Sequence, residues 1–283
     1  MAGTERATDP APTTNRRLPR PGTIAQNVAV VVVLLLLASW LPPDTSLREV
    51  QQRGSLRVCV PVSYPPLVSG GDPDRPGIDI ELVRELASRL ALTVRFNENS
   101  AIGRDFNPRN WRVTRAQCEV LAGGVVASTT TRSFLETTDP HLETGWALVF
   151  LGEERALSGA RVGFFAGASG LDRLALSGYL RAVGASVQVY SSLTELERAL
   201  RNGEIDAAVT ESLLARRLAE DVDGVATWVP GLPRQPLALG LWKGDLTLKR
   251  ALGSALHQMR ADGTLAAILE RYELAPIAEC TVC

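Results

Sequence analysis

Histidine and methionine occur only twice each in this 283-residue chain, and aromatic residues make up 5% of it. The two histidines, His141 and His257, are too few for a histidine-rich metal site. Charge of one sign is also missing. Thirty basic residues against thirty-one acidic ones leave a formal net charge of −1, so no overall field favours nucleic acid or an anionic partner. Long apolar runs are absent except for one, Ile24 to Leu41, and cysteine is limited to four residues. What remains is 45% apolar and 22% charged, an ordinary globular mixture with room for one two-lobed unit or two small domains.

Residues 1–23 are rich in Ala, Thr, Pro and Arg without an apolar period, and such a tail is expected to be disordered. Arg16, Arg17 and Arg20 precede the apolar segment 24–41, whose centre from Val28 to Ala38 holds only Val, Ala and Leu. With its flanks the segment reaches the length of about 20 residues that a bilayer span needs. Basic residues on its N-terminal side predict export of everything that follows. A cleaved signal peptide and an uncleaved inner-membrane anchor both fit. No small-x-small site follows the run, where Trp40, Pro42 and Pro43 crowd the position, and this favours the anchor.

Export puts the cysteines in an oxidising compartment, where four of them permit three connectivities. Cys59 and Cys118 are the expected pair, because they lie in or beside strands that can neighbour each other in one sheet. Cys280 and Cys283 form a C-x-x-C in the C-terminal tail, 275–283. No second such pair accompanies them to build a zinc site. The motif does not open a helix after a strand either, as a thioredoxin-like motif would.

From Leu56 onward β-rich runs alternate with helical periods, the pattern of an α/β fold with mostly parallel sheets. Leu56 to Val60 reads as a first strand, and Leu82, Val83, Leu86, Ala87 and Leu90 form one buried helical stripe. Asp79 is placed as a cap of that helix. Asn97 to Gln117 gives no clear signal. The apolar run Ala147 to Phe150 marks a crossing, and Gly159 to Phe165 begins a fresh strand. Ser192, with Glu195 three residues on, fits a capping box. Leu237 to Trp242 crosses back, and two helices close the chain, with Leu248, Leu252, Leu256 and Met259 inward on the first. The expected layout is a first lobe from 55–149 and 237–274 with a second lobe, 150–236, inserted between. A cleft then lies at the crossings, a favoured place for small molecules.

The order of motifs over Leu56 to Leu274 resembles the extracellular solute-binding proteins of family 3, the polar amino-acid-binding type with the type 2 periplasmic fold. The resemblance rests on Tyr64-Pro65-Pro66-Leu67, Gly77-Ile78-Asp79-Ile80-Glu81-Leu82, Cys118-Glu119-Val120, Thr129-Thr130-Thr131-Arg132 and Thr137-Thr138-Asp139-Pro140-His141. Leu157 to Gly163 and Gly203 to Val209 complete it. It implies that Arg132 grips a ligand carboxylate, for which a planar guanidinium is suited. Gly123, Gly124, Ser128 and Thr129 are expected to add donors, although the chain is one residue longer than the family pattern between Glu119 and Arg132. Where the family has an aspartate for the ligand ammonium, this chain has Glu211, one methylene longer. Gly167-Ala168-Ser169 stands where backbone amides meet the carboxylate, with Ser169 supplying a hydroxyl. Tyr64 is the expected aromatic wall, with Phe106 or Trp111 as companions. His141 replaces a tyrosine of the family and receives no role.

The function so implied is capture of an amino acid or similar small polar solute by lobe closure, for an ABC-type permease, without cofactor or covalent chemistry. Two other readings stay open. One is an accessory binding protein of a periplasmic quinoprotein dehydrogenase, which the cysteines and the replaced aromatic favour. The other is an enzyme like the cyclohexadienyl dehydratases, with Glu211 as general acid.

Overall fold

The computed structural model describes residues 21–39, 44–71, 73–102, 108–167 and 171–274. The chain divides into two compact units, Met1–Pro43 and Asp44–Cys283. In the first unit, α1 (Pro21–Ser39) is helical, with Val28 and Val30 to Leu34 exposed. Among the described residues no helix is long and apolar enough to cross a membrane, so the anchor expected over 24–41 gains no support here. The tails 1–20 and 275–283 lie outside the described residues.

The second unit begins with α2 (Ser46–Arg53), β1 (Ser55–Val60), α3 (Ile78–Arg89), β2 (Thr93–Glu98), β3 (Val120–Leu121), α4 (Thr129–Arg132) and β4 (Leu135–Thr137). It continues through β5 (Leu142–Thr144), β6 (Trp146–Leu151), β7 (Arg161–Phe164), α5 (Arg173–Ala182), β8 (Ser186–Val189), α6 (Leu193–Arg201), β9 (Ala207–Glu211), α7 (Ser212–Asp221) and β10 (Gly224–Trp228). It ends with β11 (Gln235–Leu237), β12 (Gly240–Trp242), α8 (Leu246–Ala261) and α9 (Thr264–Glu270).

Two five-stranded sheets result, ordered β2-β1-β3-β12-β4 and β10-β6-β9-β7-β8. Both are mixed rather than mostly parallel. In the first, β1 pairs parallel with β2 and β3, while β12 runs antiparallel to β3 and β4. In the second, β7 pairs parallel with β8 and β9, while β6 runs antiparallel to β9 and β10. The antiparallel members lie where the chain crosses between lobes, because a strand entering from the other lobe arrives without a helical crossover. A ribbon of β5 and β11, three antiparallel residue pairs long, joins the lobes. The apolar strand β6, read from sequence as the crossing itself, lies inside the second sheet.

Burial explains the elements. Central β1 is almost wholly buried, whereas edge strands β2 and β8 are largely exposed, as expected for parallel strands covered on both faces against strands at an edge. The stripe of α3 and that of α8 (Leu248, Leu252, Ala255, Leu256, Met259) bury as their spacing predicts. Ser192 caps α6 by accepting from Glu195 N, but Glu195 returns to Ser191 N and Oγ rather than to Ser192. Cys59 and Cys118 form the expected disulfide, with Cα atoms 5.6 Å apart. Trp111, Ile102, Leu121, Val125 and Leu135 pack around it. Trp111 is therefore core, 1% exposed, and not a companion of Tyr64 against a ligand. Phe106 lies outside the described residues.

Candidate ligand-binding site

Glu211 ends β9 and stands at the N-cap of α7, where the first N–H groups of a helix lack intrahelical acceptors. Its carboxylate turns back onto them, accepting from Leu213 N at 3.0 Å and Leu214 N at 3.3 Å. Three hydroxyls add to the set. Ser212 Oγ donates at 3.1 Å and Tyr64 Oη at 3.2 Å, and Thr144 Oγ1 of β5 also donates. The group is fully buried. Burial pushes its carboxyl above the usual glutamate value, opposed by the N–H of Leu213 and the hydroxyl of Thr144. Burial and the adjacent Glu211 charge push the Tyr64 phenol well up as well.

Tyr64 belongs to the first lobe and Glu211 to the second, so their hydrogen bond spans the cleft. Gly167 closes one side. A Cβ built there would lie 2.2 Å from Glu211 Cβ and 3.0 Å from Tyr64 Oη, so only glycine permits this approach. Beside the contact, Arg216 of α7 pairs with Glu273 at 2.9 Å and tethers α7 to the segment after α9. A cavity of about 280 Å³ opens there, lined by Pro65, Pro66, Leu213, Arg216, Tyr272 and Glu273 among others.

Two residues given other parts or none by the sequence hold the Gly123–Gly124 turn. Asp79 does not cap α3, whose N-cap is Gly77 without a side-chain bond. Its Oδ2 accepts from Gly123 N at 2.6 Å and Gly124 N at 3.4 Å, and its Oδ1 accepts from His141 Nε2 at 2.8 Å. Both side chains are 1% exposed. Gly123 and Gly124 have φ of +92° and +91°, a region open to glycine, and a Cβ built on Gly124 would lie 3.5 Å from the Tyr64 ring. The Gly124 amide expected to face ligand thus points to Asp79.

The other expected donors lie nearby in sequence but do not converge on Glu211. Ser128 caps α4, accepting from Thr131 N at 3.1 Å. Thr129 is exposed. Arg132 ends α4, is exposed, and its Nε reaches Thr137 Oγ1 at 3.4 Å. Ser169 lies outside the described residues. Thr144 and Ser212, which do meet Glu211, carried no motif. The one clue to His141 was a histidine where an aromatic is usual, in a chain with a buried acid to meet it.

Two mixed α/β lobes on a short ribbon, with an aromatic and an acid from opposite lobes meeting between them, define the architecture of a two-lobed binding protein. Residues 56–275 match the bacterial extracellular solute-binding proteins, family 3, and the chain belongs to that family. Its members and the named relatives are binding proteins, and an extracellular family agrees with the disulfide. The L-cystine-binding protein TcyJ of Escherichia coli (strain K12) is 26% identical over 259 residues, covering 87% of this chain and 92% of that protein. Among solved structures, an ancestral arginine-binding protein bound to arginine shares 23% identity at a TM-score of 0.62, covering 78% of this chain and 99% of its own. A substrate-binding protein of an ABC uptake transporter from Streptococcus pneumoniae with bound histidine shares 21% identity at 0.67, covering 83% and 99%. These two likenesses carry the fold.

Proposed function

We propose that this protein captures an amino acid or a closely similar polar solute outside the cytoplasm and presents it to an ABC-type permease. The apolar N-terminal segment directs the rest of the chain to that side. The observation that carries the reading is the meeting of Tyr64 and Glu211 across the cleft. The two lobes bring an aromatic face and a buried carboxylate to one point, and both are what a zwitterionic side-chain-bearing solute requires. In this reading Arg132 takes the carboxylate, Glu211 the ammonium and Tyr64 the side chain, with Ser128, Thr129 and Ser169 supplying donors around the carboxylate. The ligands of the relatives, L-cystine, arginine and histidine, are all α-amino acids and support this class. Binding needs no covalent step and no cofactor.

The test is thermal melting of the oxidised protein against a panel of amino acids and organic anions. At a hundredfold excess over its dissociation constant a ligand adds about 2.7 kcal/mol, a shift of several degrees. The shift is expected to vanish in Arg132→Ala. A flat panel from folded protein refutes the reading.

A further inference from the structure

We infer that the Tyr64 hydroxyl is an internal competitor for the ligand's cationic group, so that Glu211 admits only ligands with a charged N–H donor. This deepens the amino-acid reading and rests on it for the identity of the competing group. Glu211 receives five donors: Leu213 N, Leu214 N, Ser212 Oγ, Thr144 Oγ1 and Tyr64 Oη. A carboxylate offers about four lone-pair positions, so no acceptor site is left over. Approach from the Gly167 side is closed, since even a methyl there meets Glu211 Cβ at 2.2 Å.

Two of the five donors are backbone N–H groups fixed by α7, and two are hydroxyls, Ser212 Oγ and Thr144 Oγ1, that also lie within 3.1 Å of each other. Leu213 and Leu214 supply the first turn of α7, Ser212 adjoins Glu211 in the chain, and Thr144 lies on the joining ribbon. Tyr64 alone reaches in from the first lobe, and it withdraws whenever the lobes part. A ligand that bonds to Glu211 therefore takes the place of the phenol. Exchange of a neutral O–H for an ammonium or guanidinium N–H is favourable, because the buried carboxylate then faces a full opposite charge where water screens it little. Exchange for a neutral amide gains nothing. Glu211, one methylene longer than the aspartate of the family, caps α7 through both oxygens and meets the phenol through Oε2.

Tyr64→Phe removes the hydroxyl and keeps the ring; Glu211→Asp shortens the reach and keeps a capping carboxylate. Small-angle scattering of the ligand-free proteins should give a larger radius of gyration for both variants than for the parent. Titration calorimetry with L-arginine, L-histidine and L-cystine should show Tyr64→Phe binding about tenfold tighter, the loss of one bond to a charged acceptor. Unchanged scattering together with unchanged or weaker binding overturns the inference. Expanded variants with no binding by any of the three, parent included, uphold the cross-lobe bond and sink the amino-acid reading instead.

Discussion

Loss of the Cys59–Cys118 bridge is the perturbation whose size follows most directly from the structure. The two residues are 59 positions apart. In the chain-entropy description, closing a loop of that length removes about 14 cal/mol/K from the denatured ensemble, or about 4 kcal/mol at 25 °C. For a unit of this size 1 kcal/mol moves the melting temperature by about 2–4 °C, so reduction should lower it by roughly 10 °C. The measurement is calorimetry or circular dichroism of a Cys280→Ser/Cys283→Ser protein, oxidised and reduced, so that only one bridge is read. Comparing redox states of one chain avoids the void that Cys→Ala would leave among Trp111, Ile102 and Leu121. A difference below about 2 °C would refute the argument, since it means that the denatured chain was not constrained by the bridge.

Gly167→Ala should cost about 1–3 kcal/mol, the usual price of overpacking, because its methyl meets Glu211 Cβ and the Tyr64 hydroxyl. Gly178→Ala, within α5 and with nothing within 4 Å of a new Cβ, is the control and should gain about 0.5–1 kcal/mol; equal effects in urea unfolding would contradict the packing argument. Glu211→Gln tests the buried acid by its pH dependence. The native carboxyl is raised above the ordinary 4.5, so between those two values the native state holds the proton more tightly than the unfolded chain. Stability from this group therefore declines as pH rises through that window and levels off above it. The stability difference between parent and Glu211→Gln should fall across the same window, and a flat or rising difference would count against a raised carboxyl.

Much of the fold was legible because its helices bury one face. The stripes of α3 and α8 and the Ser192 cap are local signals, and each formed where the spacing put it. The strands β4, β5, β11 and β12 are three residues long each, too short for a period, and only pairing across more than ninety residues makes β5 and β11 a ribbon. The same long range hid the site. A carboxylate at 211 was readable, but its saturation was not, since Thr144 lies 67 residues away and Tyr64 147. Asp79 was assigned to its own helix because capping is the near option; the competing partners, His141 and the Gly123–Gly124 amides, are near only once β3 and β4 share a sheet with β1. Arg132 was read from a turn motif, and the structure places it at the exposed end of α4.

Thr144 is a residue of the joining ribbon and also a donor to Glu211. Bending between the lobes and the solvation of the buried acid are consequently one coordinate. A substitution along β5 or β11 therefore alters the hydroxyl set around the Glu211 carboxylate. Under the proposed function, ligand preference drifts through the joint as well as through the pocket walls.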